Sequence, residues 1–182
     1  MIRIFRLFQI LLRMQIDRSW RFPVYLLLAT AATAGGEQCG DYTYEVADGQ
    51  ATITEFSQTY AGDLSISNSL DEYPVASIGA CAFSYCTNLT RVTMPNSITS
   101  IGYCAFDHCT GLTNVVIGTG VSSIGDIAFR GCGLKSVTIP DSVISINGWA
   151  FFNCTDLTNV QIGAHVVSIE RNAFDSCQSL TS

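Results

Sequence analysis

Basic side chains are scarce in most of this chain. Arg3, Arg6, Arg13, Arg18 and Arg21 take five of the nine cations, so beyond residue 34 only Arg91, Arg130, Lys135 and Arg171 face fourteen acids, a formal charge of −10. Such a surface repels phosphate, and counterion release needs clustered Lys and Arg, so nucleic-acid binding is excluded. Histidine is limited to His108 and His165, in D-H-C-T and G-A-H-V. They occupy unrelated contexts without a periodic carboxylate partner, and both are expected to be solvent-exposed turn residues. No phosphate loop and no paired catalytic acids appear. Gly120 to Gly125 approaches a nucleophile elbow but has one residue too many. With the roles of a reaction unfilled, the chain is expected not to be an enzyme and to need no cofactor or metal.

Long apolar runs are also missing. Residues 22–34, FPVYLLLATAATA, follow Arg18 and Arg21 and close on Ala32-Thr33-Ala34. That run falls short of the roughly 20 residues needed to span a bilayer. A basic lead, an apolar middle and an A-x-A end describe a secretory signal cleaved near Ala34. The alternatives are an uncleaved anchor, a surface-lying helix over residues 1–16 with Arg3, Arg6, Gln9 and Arg13 on one face, or a start at Met14. The expected organisation is a leader over 1–34, a hairpin cap with a degenerate first repeat over 35–75, and repeats over 76–182, the last truncated.

What the chain does contain is a beat. Phe83, Phe106, Phe129, Phe151 and Phe174 are 23, 23, 22 and 23 residues apart, and Cys86, Cys109, Cys132, Cys154 and Cys177 keep the same intervals. Fixed self-similarity at this period is the signature of a solenoid, whose units bury their apolar faces only against neighbours. Each unit opens with L-x-x-V-x-I, as in Leu112 to Ile117 and Leu134 to Ile139. This spacing puts Val and Ile on one face of a strand, and the strands are expected to stack in parallel. Pro95, Gly118, Pro140 and Gly163 end successive strands, an alternation that points to growth by copying a two-unit block. The return half, V-x-S-I-x-x-x-A-F-x-x-C, is too closely set for a long helix and predicts turns, short 3₁₀ or α pieces, or a second short strand. Ahead of the repeats, YTYEVADGQATITEF alternates about Asp48-Gly49, a hairpin signal. Leu64-Ser65-Ile66 reads as a degenerate first strand, followed by a loop around Asp71 to Pro74.

The pattern SIGxxAFxxCxxLTxVxIP, seen from Ser100 through Val115 and from Leu134 to Pro140, resembles the BspA-like leucine-rich repeat family of surface proteins. The resemblance implies a right-handed leucine-rich-repeat solenoid with parallel strands on its concave face. It also implies a secreted or cell-surface role in adhesion or protein binding. One departure stands out: the expected bend asparagine is Ser97, Gly120, Ser142 or His165, so the usual asparagine ladder is absent.

Candidate sites follow from this register. The outward strand positions are Thr90, Arg91, Thr93, Thr113, Asn114, Val116, Lys135, Ser136, Thr138, Thr158, Asn159 and Gln161. They form a hydroxyl- and amide-rich platform for a protein or glycan, although exposed Thr is also simply a good strand residue. Tyr85, Tyr103, Trp149 and Phe152 offer an alternative patch on the return side. Cys81, Cys86, Cys104 and Cys109 have a zinc-like spacing. The repeat explains Cys86 and Cys109 better, as small buried hydrophobes. Cys81 and Cys104 hold equivalent places in adjacent units, near the ~5 Å Cα spacing a disulfide allows, with side chains pointing in parallel. The alternative to an adhesive scaffold is a structural spacer or self-assembling array, pairing through an uncapped C-terminal edge.

Overall fold

A computed structural model describes residues 36–181, and the leader expected over residues 1–34 lies outside them. Three strands come first: β1 (Glu37–Cys39), β2 (Tyr42–Ala47) and β3 (Gln50–Phe56). β2 and β3 pair antiparallel about a turn in which Asp48 and Gly49 both have positive φ, 52° and 74°. This is the conformation that an Asp-Gly hairpin turn requires. β3 then pairs in parallel with β6 (Tyr73–Ile78), so the hairpin covers one edge of the sheet that follows.

From there the chain winds through two parallel sheets. One is built from β4 (Gly62–Ser65), β7 (Leu89–Thr93), β9 (Asn114–Val116), β11 (Ser136–Thr138) and β13 (Asn159–Gln161), stacked in chain order. The other continues from β6 through β8 (Ser100–Ile101), β10 (Ser123–Ile124), β12 (Ser145–Ile146) and β14 (Ser168–Ile169). Register is in phase: Ile78, Ile101, Ile124, Ile146 and Ile169 are successive Cα partners. The loop expected around Asp71 is instead a small hairpin, with β5 (Ser69–Leu70) antiparallel to β6. Tyr44, buried in β2, donates its hydroxyl to the Asp71 carboxylate at 2.5 Å and lies 3.0 Å from that of Glu37, tying the first hairpin to this one.

The core is a set of columns. Val92, Val115 and Val137 are buried, as are Leu89, Leu112, Leu134 and Leu157. The phenylalanines form a continuous stack with centroid spacings of 4.7, 5.1, 5.2 and 5.1 Å from Phe83 to Phe174. Phe56, from the hairpin, extends that stack at 4.9 Å from Phe83.

Between the sheets the return segments are turns, and no helix occurs among the described residues. Two residues four apart in each coil have positive φ: Cys81 and Tyr85, Cys104 and His108, Ile127 and Gly131, Trp149 and Asn153, Asn172 and Ser176. A left-handed residue every fourth position interrupts any helical ladder. The freed amides point to the next coil instead. Cys81, Phe83 and Tyr85 donate to the carbonyls of Tyr103, Ala105 and Asp107 at 2.8–2.9 Å, and the pattern repeats downstream. All buried backbone groups need such partners.

The alternation of Pro and Gly has a steric reason. A Cβ on Gly118 would sit 2.3 Å from the Pro95 carbonyl oxygen, and one on Gly163 would sit 2.5 Å from that of Pro140. A coil that follows a proline bend therefore has to be bare there.

Candidate binding face

The five-stranded sheet presents the outward positions as columns. Asp63, Arg91, Asn114, Ser136 and Asn159 are successive register partners, and so are Ser65, Thr93 and Val116. Ten of the twelve candidate residues are exposed, and Thr93 and Asn114 are half-buried. The two-residue alternation of the strands puts Arg91, Thr93, Asn114, Val116, Ser136, Thr138, Asn159 and Gln161 opposite the valines, whereas Thr90, Thr113, Lys135 and Thr158 share the valines' parity and lie where each strand begins.

Much of its polarity is already committed. Thr113 and Thr158 donate their hydroxyls to the carbonyls of Thr90 and Lys135, one coil back, at 3.2 and 2.9 Å. Thr90 donates to Asp63 at 2.6 Å, and Thr138 to Gln161 at 3.3 Å. Arg91 lies 3.5 Å from the Asp63 carboxylate. One feature remains available: Ser136 and Asn159 are register partners and, with Lys135 next in sequence, are exposed with side chains that make no such bond. The side-chain oxygen of Asn114 has no partner either, but it is buried away from solvent.

The return side divides in two. Tyr85 and Tyr103 are 55% and 53% exposed, on the first and second full coils. Trp149 and Phe152 are half-buried on the fourth coil, Trp149 lying under the Arg171 guanidinium at 4.7 Å. A whole coil, bearing Ile127 and Arg130, separates the two pairs, so the four aromatics form no single patch.

His108 lies in a turn as expected, but half-buried and engaged: it stacks on Tyr85 at 5.1 Å and hydrogen-bonds through Nδ1 to Asp107 at 2.8 Å. Asp107 is only 4% exposed, and Arg130 grips it with two bonds of 2.8 Å. Arg130 follows Asp107 by one repeat, so writing the units beneath one another would have exposed the pair. His165 is exposed, with Nδ1 at 3.1 Å from the Asp141 carbonyl.

The thiol ladder does more than fill space. Cys109, Cys132, Cys154 and Cys177 donate S–H to the carbonyls of Phe83, Phe106, Phe129 and Phe151 at 3.0–3.2 Å. Burial pushes the Cys86 and Cys154 thiols up to about 12, with the neighbouring ladder thiol adding to it. These are inert, neutral groups. Among the described residues no cluster of three or more His, Cys, Asp or Glu is arranged to hold a metal.

The model of the family described as BspA type leucine rich repeat region matches residues 76–182 in six copies. The chain belongs to that family. A leucine rich cell surface protein of Faecalibacterium prausnitzii is 30% identical with a TM-score of 0.72, over 78% of this chain and 37% of its own. The T. pallidum leucine rich repeat protein is 27% identical with a TM-score of 0.75, over 80% of this chain and 69% of its own. A leucine-rich repeat protein of Bacteroides capillosus is 34% identical with a TM-score of 0.59, over 70% of this chain and 98% of its own. A search of curated proteins finds no match. This BspA-type chain thus spans little more than a third of the length of its Faecalibacterium neighbour.

The missing asparagine ladder of this BspA-type chain is replaced one position earlier. Asn96 Oδ1 accepts the amide of Thr119 at 2.9 Å, and Asp141 Oδ1 that of Ala164 at 2.7 Å.

Proposed function

We propose that this chain is a secreted or cell-surface scaffold without catalytic activity, which binds a protein partner through the outer face of its five-stranded sheet. The observation that carries this reading is the exposed Lys135, Ser136 and Asn159 cluster, set among threonines whose hydroxyls are spent within the sheet. Hydrogen-bonding groups left open on a rigid sheet suit an extended peptide, and the platform has no aromatic on which a sugar would stack. The surface location is supported by the family and by the cell-surface neighbour.

The test is the double substitution Arg91→Glu with Lys135→Glu. Adhesion of the labelled protein to cultured cells, read by flow cytometry, is expected to vanish with the melting temperature unchanged. Unchanged adhesion would move the site to Tyr85 and Tyr103.

A further inference from the structure

Cys81 and Cys104 stand apart from the thiol ladder. They occupy the same place in consecutive coils, both in the left-handed conformation with φ of 58° and 53°. The Cys81 amide donates to the Tyr103 carbonyl at 2.9 Å, and Phe83 to Ala105 at 2.8 Å, which locks the two coils in register on both sides of the pair. Register at the sheet spacing of ~4.8 Å puts their Cα atoms inside the window a disulfide accepts, roughly 4.4–6.8 Å. Neither is among the thiols that donate to phenylalanine carbonyls, so neither is committed to the backbone. Their accessibility differs in a useful way: Cys81 is exposed and Cys104 is 7% exposed.

We propose that Cys81 and Cys104 are a covalent modification site, an inter-coil disulfide formed by exchange with a small-molecule disulfide such as oxidised glutathione. The exposed Cys81 thiolate attacks the glutathione disulfide, whose S–S bond breaks and releases one glutathione thiol, leaving a mixed disulfide on Cys81. Cys104 Sγ then attacks Cys81 Sγ and expels the second glutathione. The two protein thiols lose two electrons, and the two glutathiones carry away both electrons and both protons. With parallel side chains the Cβ atoms also stand ~4.8 Å apart, just beyond the roughly 3.5–4.5 Å of a bridge, so the two coils must draw together by a few tenths of an ångström as the Cα–Cβ bonds rotate, and the in-register backbone holds the chain ends of the resulting loop in place. The bridge staples the first two full coils beside Tyr85 and Tyr103.

The test incubates the whole chain with a glutathione redox mixture, quenches with acid, alkylates in denaturant and maps peptides by mass spectrometry. The expected result is a Cys81–Cys104 cross-linked peptide two hydrogens lighter than its reduced parts. The melting temperature should rise by several degrees on oxidation, reverse with dithiothreitol, and stay fixed in Cys81→Ser and in Cys104→Ser. Alkylated Cys81 and Cys104, a stable glutathione adduct on Cys81, or pairing of Cys81 with Cys39 would each overturn the proposal.

Discussion

Cys109 donates its S–H to the carbonyl oxygen of Phe83 at 3.0 Å, and that oxygen already accepts the Cys86 amide of its own coil at 3.1 Å. The thiol thus joins one coil's turn to the next on the return side, in addition to the Asn96 and Asp141 side-chain bonds at the other bend. If cysteine were only a small hydrophobe, Val would replace it better than Ser. The hydrogen bond reverses that order, because Ser keeps a donor while Val leaves the Phe106 carbonyl with its amide partner alone. Cys132→Val should therefore cost about 0.5–1.5 kcal/mol, and Cys132→Ser less. Urea titration of both variants checks this, and Val proving the milder change would contradict the bonding role.

Phe129 sits mid-stack, fully buried between Phe106 and Phe151 at 5.1 and 5.2 Å. Phe129→Ala should cost about 3–5 kcal/mol, since neighbouring coils pinned by backbone bonds cannot collapse into the void. Phe174, half-buried at the far end of the same stack, should cost clearly less on the same change. Equal losses at the two sites would mean that the stack is not the core.

Ile127 is a β-branched residue at φ 62°, where Trp149 and Asn172 stand one and two coils later. A left-handed conformation costs an ordinary L-residue roughly 1–2 kcal/mol, and Asn tolerates it far better. Ile127 is half-buried, so Ile127→Asn gives up some apolar contact and should still gain about 0.5–1 kcal/mol. That corresponds to a melting temperature about 1–4 °C higher. A lower melting temperature by calorimetry would show that Ile127 packing outweighs its strain.

The features that could be read in advance were those that recur as residue type. The phenylalanine interval located the stack, L-x-x-V-x-I the five-stranded sheet, and Asp48-Gly49 the hairpin turn. What residue type does not display depends on partners one coil away. Asp107 and Arg130 differ in type although they share a column, so a search for identical residues passes over them. The phenylalanine interval begins at Phe83, yet Phe56 joins the stack from outside the repeat. Within one unit, the Ala-Phe-x-x-Cys of the return segments suits a helical turn as well as a plain one. Their amides satisfy the neighbouring coil instead, a non-local choice that no single unit displays. On the candidate face, residue type does not show that Thr113 and Thr158 spend their hydroxyls inside the sheet.

Alkali should act through the thiol ladder. Burial pushes the Cys86 and Cys154 thiols from an ordinary 9 up to about 12 in the folded chain. A folded-state value above the unfolded one means the native state holds more protons between the two, so stability falls as pH rises through that window. The contribution is complete below about pH 9 and is lost progressively between 9 and 12. Each fully shifted thiol bounds the slope at about 1.4 kcal/mol per pH unit. Urea midpoints measured from pH 8 to 10.5 should fall in the native chain, and less steeply in Cys154→Ser, whose hydroxyl does not titrate there. Parallel pH profiles for the two proteins would mean that the ladder thiols are not the groups that alkali addresses.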